Sequence, residues 1–454
     1  MMKGTTVGSE RIVALFDAGT FTEVGAYVTR DGGELTGVVC GYGAIGGKLV
    51  FAFAQDSDRR KGAFDALQAE KIATLYSMAI KNGAPVIAMF DSAGAVVCDG
   101  ASAMSAYGKL LRTVSDASGV IPQIALISGV CSGLSATVAA MYDLTVTVKD
   151  KSRIFVNAPF LVGKEIGSAE YAAKCGMSEL VAEDDADAVL KLRRLIAYLP
   201  SNNAEGVVIE ELTDDVNRRV AIEGVSGKAL LGTLADAGEL LELGTGFAPE
   251  MITAITSFGG VTCGVVANDP EINGGALTVD GSKKAARLIS LCDSLSIPVV
   301  TLVDSVGTEI SAEAEASNLA SALGKLAMSY AAADTAKITA VVGNAYGASF
   351  TLMGSRALGA DMVFALPSST ISAMAPASAV AFLWNDRITE ETTRGMLENE
   401  WKETQASATR AARDGSVDDV IDPGELRQRI CSAVYMLLAK STGNPTRKHC
   451  NLPL

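Results

Sequence analysis

Two short turns in this sequence combine residue types that can do chemistry without a reactive side chain. They are Gly129-Val-Cys-Ser132-Gly133-Leu134-Ser135-Ala136 and Gly343-Asn-Ala-Tyr346-Gly347-Ala348-Ser349-Phe350. Each contains an apolar stretch ending in the first glycine, QIALISG or KITAVVG, that reads as a strand, and each leads into small residues that read as a helix. Glycine permits close backbone approach. The first amides of a helix lack intrahelical acceptors and favour negative charge. Two such donors aimed at a carbonyl oxygen form an oxyanion hole, which needs no imidazole. The competing reading is tight strand–helix packing in an ordinary α/β protein. Two further turns, Asp91-Ser-Ala93-Gly94 and Asp304-Ser-Val-Gly307, end apolar strands, where open α/β sheets place ligands. Their carboxylates are expected to cap the following turn. Asn157-Ala158-Pro159 and Met374-Ala375-Pro376 are expected to shape pocket walls.

Imidazole is in fact nearly absent. The only histidine, His449, lies five residues from the end of 454, so neither a His-rich metal site nor a His base with a His ligand can be built. No metal is expected. With 38 Lys+Arg against 52 Asp+Glu and a net charge of −14, the chain lacks the positive field that nucleic-acid backbones require. The start, MMKGTTVGSERIVALF, has no apolar signal core, and no apolar run is long enough to span a bilayer. Eight cysteines form no C-x-x-C pair and read as buried free thiols of a cytoplasmic protein. No phosphate-binding P-loop motif is present. Gly41-Tyr-Gly-Ala-Ile-Gly46 has dinucleotide-site spacing, but the β-rich LVFAFA behind Gly46-Gly47-Lys48 makes it a strand–hairpin–strand.

The elements that position these turns occur twice. Lys71-IATLYSMAIKNGAPVIAMFDSAG-94 aligns without a gap to Lys284-AARLISLCDSLSIPVVTLVDSVG-307, 213 residues later. Asp56 matches Asp269 at the same offset, Gly129 matches Gly343 at 214, and Asp17-AGTFTEVG resembles Asp236-AGELLELG at 219. Repetition at near-constant spacing implies two copies of one domain. Each copy reads as α/β, with helices at 66–82 and 282–296, then about 100–118 and 317–334. The strands between them do not alternate in polarity, as expected for parallel strands covered on both faces. Strands at 144–149 and 361–366 and helices at 183–199 and 425–440 complete the pattern. The breaker cluster Leu199-Pro-Ser-Asn-Asn203 puts the boundary near 205–215, giving domains 1–210 and 211–454.

With these turns in view, the chain resembles the carboxyltransferase subunit of biotin-dependent acyl-CoA carboxylases and decarboxylases, a duplicated crotonase-like protein. The resemblance runs from about Arg11 to about Asp422. It is carried by Val38-Val-Cys-Gly-Tyr-Gly43, Phe53-Ala-Gln-Asp56, Asp91-Ser-Ala-Gly94, Gly119-Val-Ile-Pro-Gln-Ile124, Val265-Val-Ala-Asn268, Lys283-Lys-Ala-Ala-Arg287, Met353-Gly-Ser-Arg356 and Ala373-Met-Ala-Pro-Ala377. It implies tandem α/β domains of the crotonase-like ββα-superhelix type. A short acyl-CoA thioester, of the propionyl-, methylmalonyl- or glutaconyl-CoA kind, would lie against the first turn, with Gly133 and Leu134 as donors to the enolate oxygen. Biotin would approach the second, where Gly347 and Ala348 match the donors to its ureido oxygen. Ala93, Gly94, Ser132, Ala158 and Pro159 would line the acyl-CoA side, and Tyr346, Ala375 and Pro376 the biotin side. The family usually assembles as a hexamer, a trimer of dimers in which the two domains face each other across a dimer interface. With no Ala-Met-Lys-Met motif in the chain, biotin would arrive on a separate carboxyl carrier protein. Biotin carboxylase, or a membrane decarboxylase pump subunit that would bring the chain to the membrane edge, would be the further partner.

The chain also departs from the family pattern. Asp-Ser-Gly-Gly-Ala-Arg becomes Asp91-Ser-Ala-Gly-Ala-Val96, the Gly-Gly pair becomes Gly133-Leu134, and a Pro-Gly-Phe segment becomes Val306-Gly-Thr308. The missing arginine leaves open an altered, even non-CoA, acid substrate, and a non-catalytic scaffold subunit is the third reading.

Overall fold

The computed structural model describes residues 6–30 and 33–441; His449 and Cys450 lie outside them. The chain divides into two compact units between Gly206 and Val207.

In the first unit the strands are β1 (Thr22–Val24), β2 (Val38–Ile45), β3 (Lys48–Gln55), β4 (Val86–Ser92), β5 (Gln123–Ser132), β6 (Leu144–Val148), β7 (Arg153–Phe155) and β8 (Leu180–Ala182). Its helices are α1 (Val7–Leu15), α2 (Ala66–Asn82), α3 (Ala101–Ala117), α4 (Leu134–Ala139), α5 (Pro159–Val162), α6 (Ala169–Lys174) and α7 (Asp185–Tyr198). The sheet order is β1-β2-β3-β4-β5-β6-β8, with β7 continuing the sheet against the end of β5. The front of the sheet is antiparallel. Gly46 and Gly47, both at positive φ, turn β2 into β3 with Ile45 opposite Lys48, the two-residue hairpin expected of that glycine spacing. From β3 onward the pairs β3–β4, β4–β5, β5–β6 and β6–β8 are parallel. Every residue of β4 is buried, which explains the unbroken apolar run Val86–Phe90 that precedes Asp91. Asp65 caps α2 by accepting from Gln68 N, and Gly83 ends it in the left-handed region. The core between helices and sheet centres on Phe53, Phe64, Phe90, Tyr76 and Tyr107, with the Tyr76 and Tyr142 hydroxyls 2.7 Å apart.

The second unit has strands β9 (Leu241–Leu243), β10 (Met251–Phe258), β11 (Val261–Asn268), β12 (Val299–Ser305), β13 (Lys337–Tyr346), β14 (Met362–Ala365), β15 (Thr370–Ser372) and β16 (Asp419–Val420). Its helices are α8 (Gly227–Leu234), α9 (Val279–Ser294), α10 (Ala312–Ala316), α11 (Leu319–Ala332), α12 (Ala348–Leu352), α13 (Pro376–Leu383), α14 (Arg394–Thr404), α15 (Ala408–Arg413) and α16 (Leu426–Leu437). The order β16-β14-β13-β12-β11-β10-β9, with β15 against the end of β13, matches the first unit strand for strand. The two units are similar mixed-sheet α/β bodies.

Several helix ends shift by two or three residues from the sequence expectation, and two of the shifts have a plain local cause. The helix expected at 282–296 starts at Val279, because Thr278 accepts from Gly281 N and sets the cap earlier. The helix expected at 317–334 begins at Leu319 after a separate short helix, because Asn318 adopts φ 62° and breaks the run. Of the cysteines, Cys98 and Cys175 are exposed; Cys40, Cys131, Cys263, Cys292 and Cys431 are buried. Among the described residues no helix is long and apolar enough to cross a membrane.

The matching Asp17 and Asp236 latch each hairpin to a later helix. Asp236 accepts from Gly259 N at 3.0 Å, Gly260 N at 2.7 Å and Arg427 of α16 at 2.6 Å, with Arg427 fully buried. Asp17 accepts from Gly47 N at 3.2 Å and from Arg193 of α7 at 2.5 Å, nearer solvent.

Candidate active site

The two glycine turns lie at the carboxyl ends of β5 and β13, and their glycines do different jobs. A Cβ on Gly129 would strike the Asp91 carboxylate, and one on Gly343 would strike that of Asp304. The first glycine of each turn therefore makes room for an acid from the neighbouring strand. Asp91 Oδ1 accepts from Val130 N at 3.2 Å, and Asp304 Oδ1 accepts from Asn344 N at 2.8 Å. These carboxylates thus pin the irregular end of the adjacent strand and do not cap the turn that follows them. Both strand pairs lose register at this point.

The second glycine of each turn takes a conformation that suits glycine alone: Gly133 has φ 59° and ψ −126°, and Gly347 has φ 55° and ψ −126°. Their N–H groups are already engaged. Gly133 N donates to Phe155 O at 2.9 Å, and Gly347 N donates to Ser372 O at 2.8 Å. This corrects the assignment of Gly133 and Gly347 as donors to a ligand, since one amide hydrogen in a bond of that length is not available twice. What these glycines do is rotate the next residue into the first helical position. Leu134 and Ala348 stand there, exposed, and among the described residues neither N–H has a backbone acceptor.

A second donor beside each turn comes from the segment after β4 or β12, and sequence reasoning missed it. Phe64 N donates to Gly94 O and Val96 N to Phe64 O, at 2.8 and 3.0 Å. Ala95 N lies between those bonds on the opposite edge of the strand and has no acceptor among the described residues. The same bonds join Leu277 N to Gly307 O and Glu309 N to Leu277 O, leaving Thr308 N in the matching place. The only signal was positional: Ala95 and Thr308 are 213 residues apart, like the motifs before them. These segments lie against the glycine turns. A Cβ on Gly94 would sit 3.2 Å from Ser132 Oγ, and one on Gly307 would sit 3.6 Å from Tyr346 O. Each unit therefore carries two free backbone donors on adjacent turns, the number an oxyanion hole uses.

The remaining predicted residues distribute as follows. Ala93 is exposed, and its N–H donates to Lys61 O at 3.0 Å, while Gly94 N bonds Ser92 Oγ at 3.2 Å. Ser132 is half-buried beside Ser92 O. Ala158 and Pro159 begin α5, and Ala375 and Pro376 begin α13, each just past the strand that accepts the glycine N–H. Tyr346 is only 8% exposed, and its hydroxyl donates to Asn344 Oδ1 at 2.7 Å.

Charge separates the two otherwise similar sites. Arg59-Arg60-Lys61 forms the loop against β4, where the second unit has Ile272-Asn273-Gly274. Arg60 and Lys61 hold φ of 49° and 52°, costly for side-chain-bearing residues. Arg60 pairs with Glu34, whereas Lys61 is exposed and makes no ion pair among the described residues. The acids differ as well. Asp91 is paired with Arg11 at 2.7 Å and accepts from Ser57 at 2.8 Å. Asp304 has no cation partner among the described residues, and burial raises its carboxyl above the usual range despite the bond from Asn344. Among the described residues no cluster of His, Cys, Asp or Glu could hold a metal ion.

Comparison with known proteins gives this backbone chemistry its context. The carboxyl transferase domain model matches residues 1–452. The chain belongs to the carboxyl transferase family of biotin-dependent enzymes. It is 32% identical to the methylmalonyl-CoA decarboxylase subunit alpha of Veillonella parvula over all of this chain and 94% of that one. It is 33% identical to the methylmalonyl-CoA carboxyltransferase 12S subunit of Propionibacterium freudenreichii subsp. shermanii, over 99% of this chain and 92% of that one. A crystal structure of transcarboxylase 12S, a hexamer with hydrolysed methylmalonyl-coenzyme A bound, matches with a TM-score of 0.94 at 32% identity, covering 99% of this chain and 93% of that one.

Proposed function

We propose that this carboxyltransferase moves a carboxyl group between biotin on a separate carrier protein and the α-carbon of a short acyl-CoA, such as propionyl-/methylmalonyl-CoA. Relatives of similar length act on such thioesters. The observation that carries the reading is the pair of free backbone donors in each unit: Ala95 with Leu134, and Thr308 with Ala348. The matching strand orders favour a tandem duplication of a crotonase-like domain, in which one donor pair serves each reactant.

The first unit is assigned to the acyl-CoA. Its Arg59-Arg60-Lys61 loop presents cations next to the turn, and a CoA carries phosphates; the second unit has no charge there. Lys61 O accepting from Ala93 N ties this cationic loop to the segment that carries the Ala95 donor.

Biotin supplies the ureido nitrogen that receives or gives up the carboxyl group. In the decarboxylating direction the bond between the carboxylate carbon and the α-carbon would break, the released CO2 would join the ureido nitrogen, and the proton that nitrogen gives up would pass to the α-carbon. Leu134 and Ala95 would hold the thioester oxygen as its negative charge grows. Ala348 and Thr308 would hold the ureido oxygen and offset the negative charge it takes on as the nitrogen gives up its proton. The reverse sequence carboxylates. No side-chain base is required, which suits a chain with one histidine. A hexameric assembly, supported by the hexameric relative, completes the reading together with a biotin carboxyl carrier protein and a biotin carboxylase or membrane decarboxylase subunit.

The test is a panel of acyl-CoA thioesters with free biotin, using malonyl- and methylmalonyl-CoA as donors and product mass as the readout. Transfer to or from at least one short acyl-CoA is expected. An intact oligomer that transfers nothing would leave a scaffold role.

A further inference from the structure

The two units differ most between the strand that accepts the glycine N–H and the short helix that follows. In the first unit residues 156–168 make this connection; in the second it takes residues 373–407 and includes α13 and α14. The longer segment carries both tryptophans of the chain, Trp384 and Trp401. It braces itself. The two indoles meet edge to face with centroids 4.8 Å apart, and the Arg387 guanidinium lies 4.2 Å over the Trp384 ring. Arg387 also donates to both carboxylate oxygens of Glu400 at 2.9 Å.

This braced hairpin reaches the biotin-side turn through one residue. Trp401 Nε1 donates to Ser372 Oγ at 3.3 Å, and Ser372 O accepts the Gly347 amide at 2.8 Å. A second connection runs alongside: Ala406 N donates to Trp401 O, and Ile371 N donates to Ala406 O at 2.8 Å. Trp401 also lines, with Gly347, Phe350, Ala373, Arg410 and Asp414, a cavity of about 570 Å³. In the first unit Phe155 stands where Ser372 stands and has no such hydroxyl.

We propose that Trp401 is a positioning residue for the second-unit turn: by holding Ser372 it fixes Gly347 and so aims the Ala348 N–H. The proposal rests on the biotin-side reading of that turn, but its effect on the Gly347 amide does not. Trp401→Phe keeps an aromatic ring and removes the N–H; Ser372→Ala removes the acceptor. In each variant the Gly347 amide should exchange with deuterium faster while the Gly133 amide is unchanged. The KM for free biotin should rise about three- to tenfold, as expected for one hydrogen bond, with the KM for acyl-CoA unaltered. The double variant should be no worse than either single one, because both remove the same contact. Unchanged Gly347 exchange, equal acceleration at Gly133, or an equal rise in both KM values would overturn the proposal. If the wild-type protein transfers nothing, the functional reading fails, and amide exchange still decides the role of Trp401.

Discussion

The Gly133 amide donates to the Phe155 carbonyl oxygen at 2.9 Å, and that bond determines which group of the turn is left for chemistry. Gly347 makes the same bond to Ser372. Proline at either glycine would break a strand contact and demand an impossible φ, so it would report on folding and not on catalysis. The free donors stand one residue later, at Leu134 and Ala348, beside Ala95 and Thr308.

The cationic loop gives a prediction with two opposite signs. Lys61 has φ 52°, so Lys61→Gly relieves a strained backbone and should not lower the unfolding temperature. The same change removes an exposed cation. The KM for acyl-CoA should rise several-fold, less so at high salt, while the KM for biotin stays constant. Steady-state kinetics at two ionic strengths, with a thermal melt, checks both.

Asp304 predicts a pH dependence. Burial raises its folded pKa above the unfolded value, so its contribution to stability is full below the unfolded pKa and is lost as pH rises through the folded one. At neutral pH the ionised group is therefore a cost. Asp304→Asn should melt higher than wild type at pH 7, with the gap closing as pH falls toward 4. Asp91→Asn should melt lower at pH 7, because it strips Arg11 of its partner.

The two aspartate latches predict unequal costs. Arg427 is fully buried between Asp236 and Asp214, so Arg427→Met leaves uncompensated acid in the interior and should cost about 3–5 kcal/mol. Arg193→Met breaks the corresponding, partly exposed pair and a bond to Leu15 O, and should cost about 1 kcal/mol, well below Arg427→Met. Denaturant titration of the two variants compares them directly.

Much of this was legible in the sequence because the repeat supplied an internal check. The Gly46-Gly47 hairpin, the non-alternating β4 and β12, and the 213-residue offset each follow from local pattern. The donor set was not legible. Which amide of Gly133-Leu134 is free depends on Phe155 lying beside it, a pairing between strands distant in sequence. Ala95 and Thr308 carry no chemical mark of their role, since any residue has an N–H. The acids were misread for a related reason: Gly129 and Gly343 are glycines because Asp91 and Asp304 fill the space a Cβ would need. Trp401 stands on α14, which has no counterpart in the shorter connection of the first unit, so repetition could not reveal it.

The central claim is that backbone N–H groups at Leu134 and Ala348 carry the transfer. Both are first residues of helices, where proline fits and removes nothing but the N–H, and the preceding glycines have no Cβ to clash with its ring. The decisive measurement is the rate of biotin-dependent carboxyl transfer from methylmalonyl-CoA by Leu134→Pro and Ala348→Pro, with Leu134→Ala and Ala348→Ser as side-chain controls. The account predicts a loss of about a hundredfold or more in each folded proline variant, with both controls near wild type. Wild-type rates in both proline variants would contradict it.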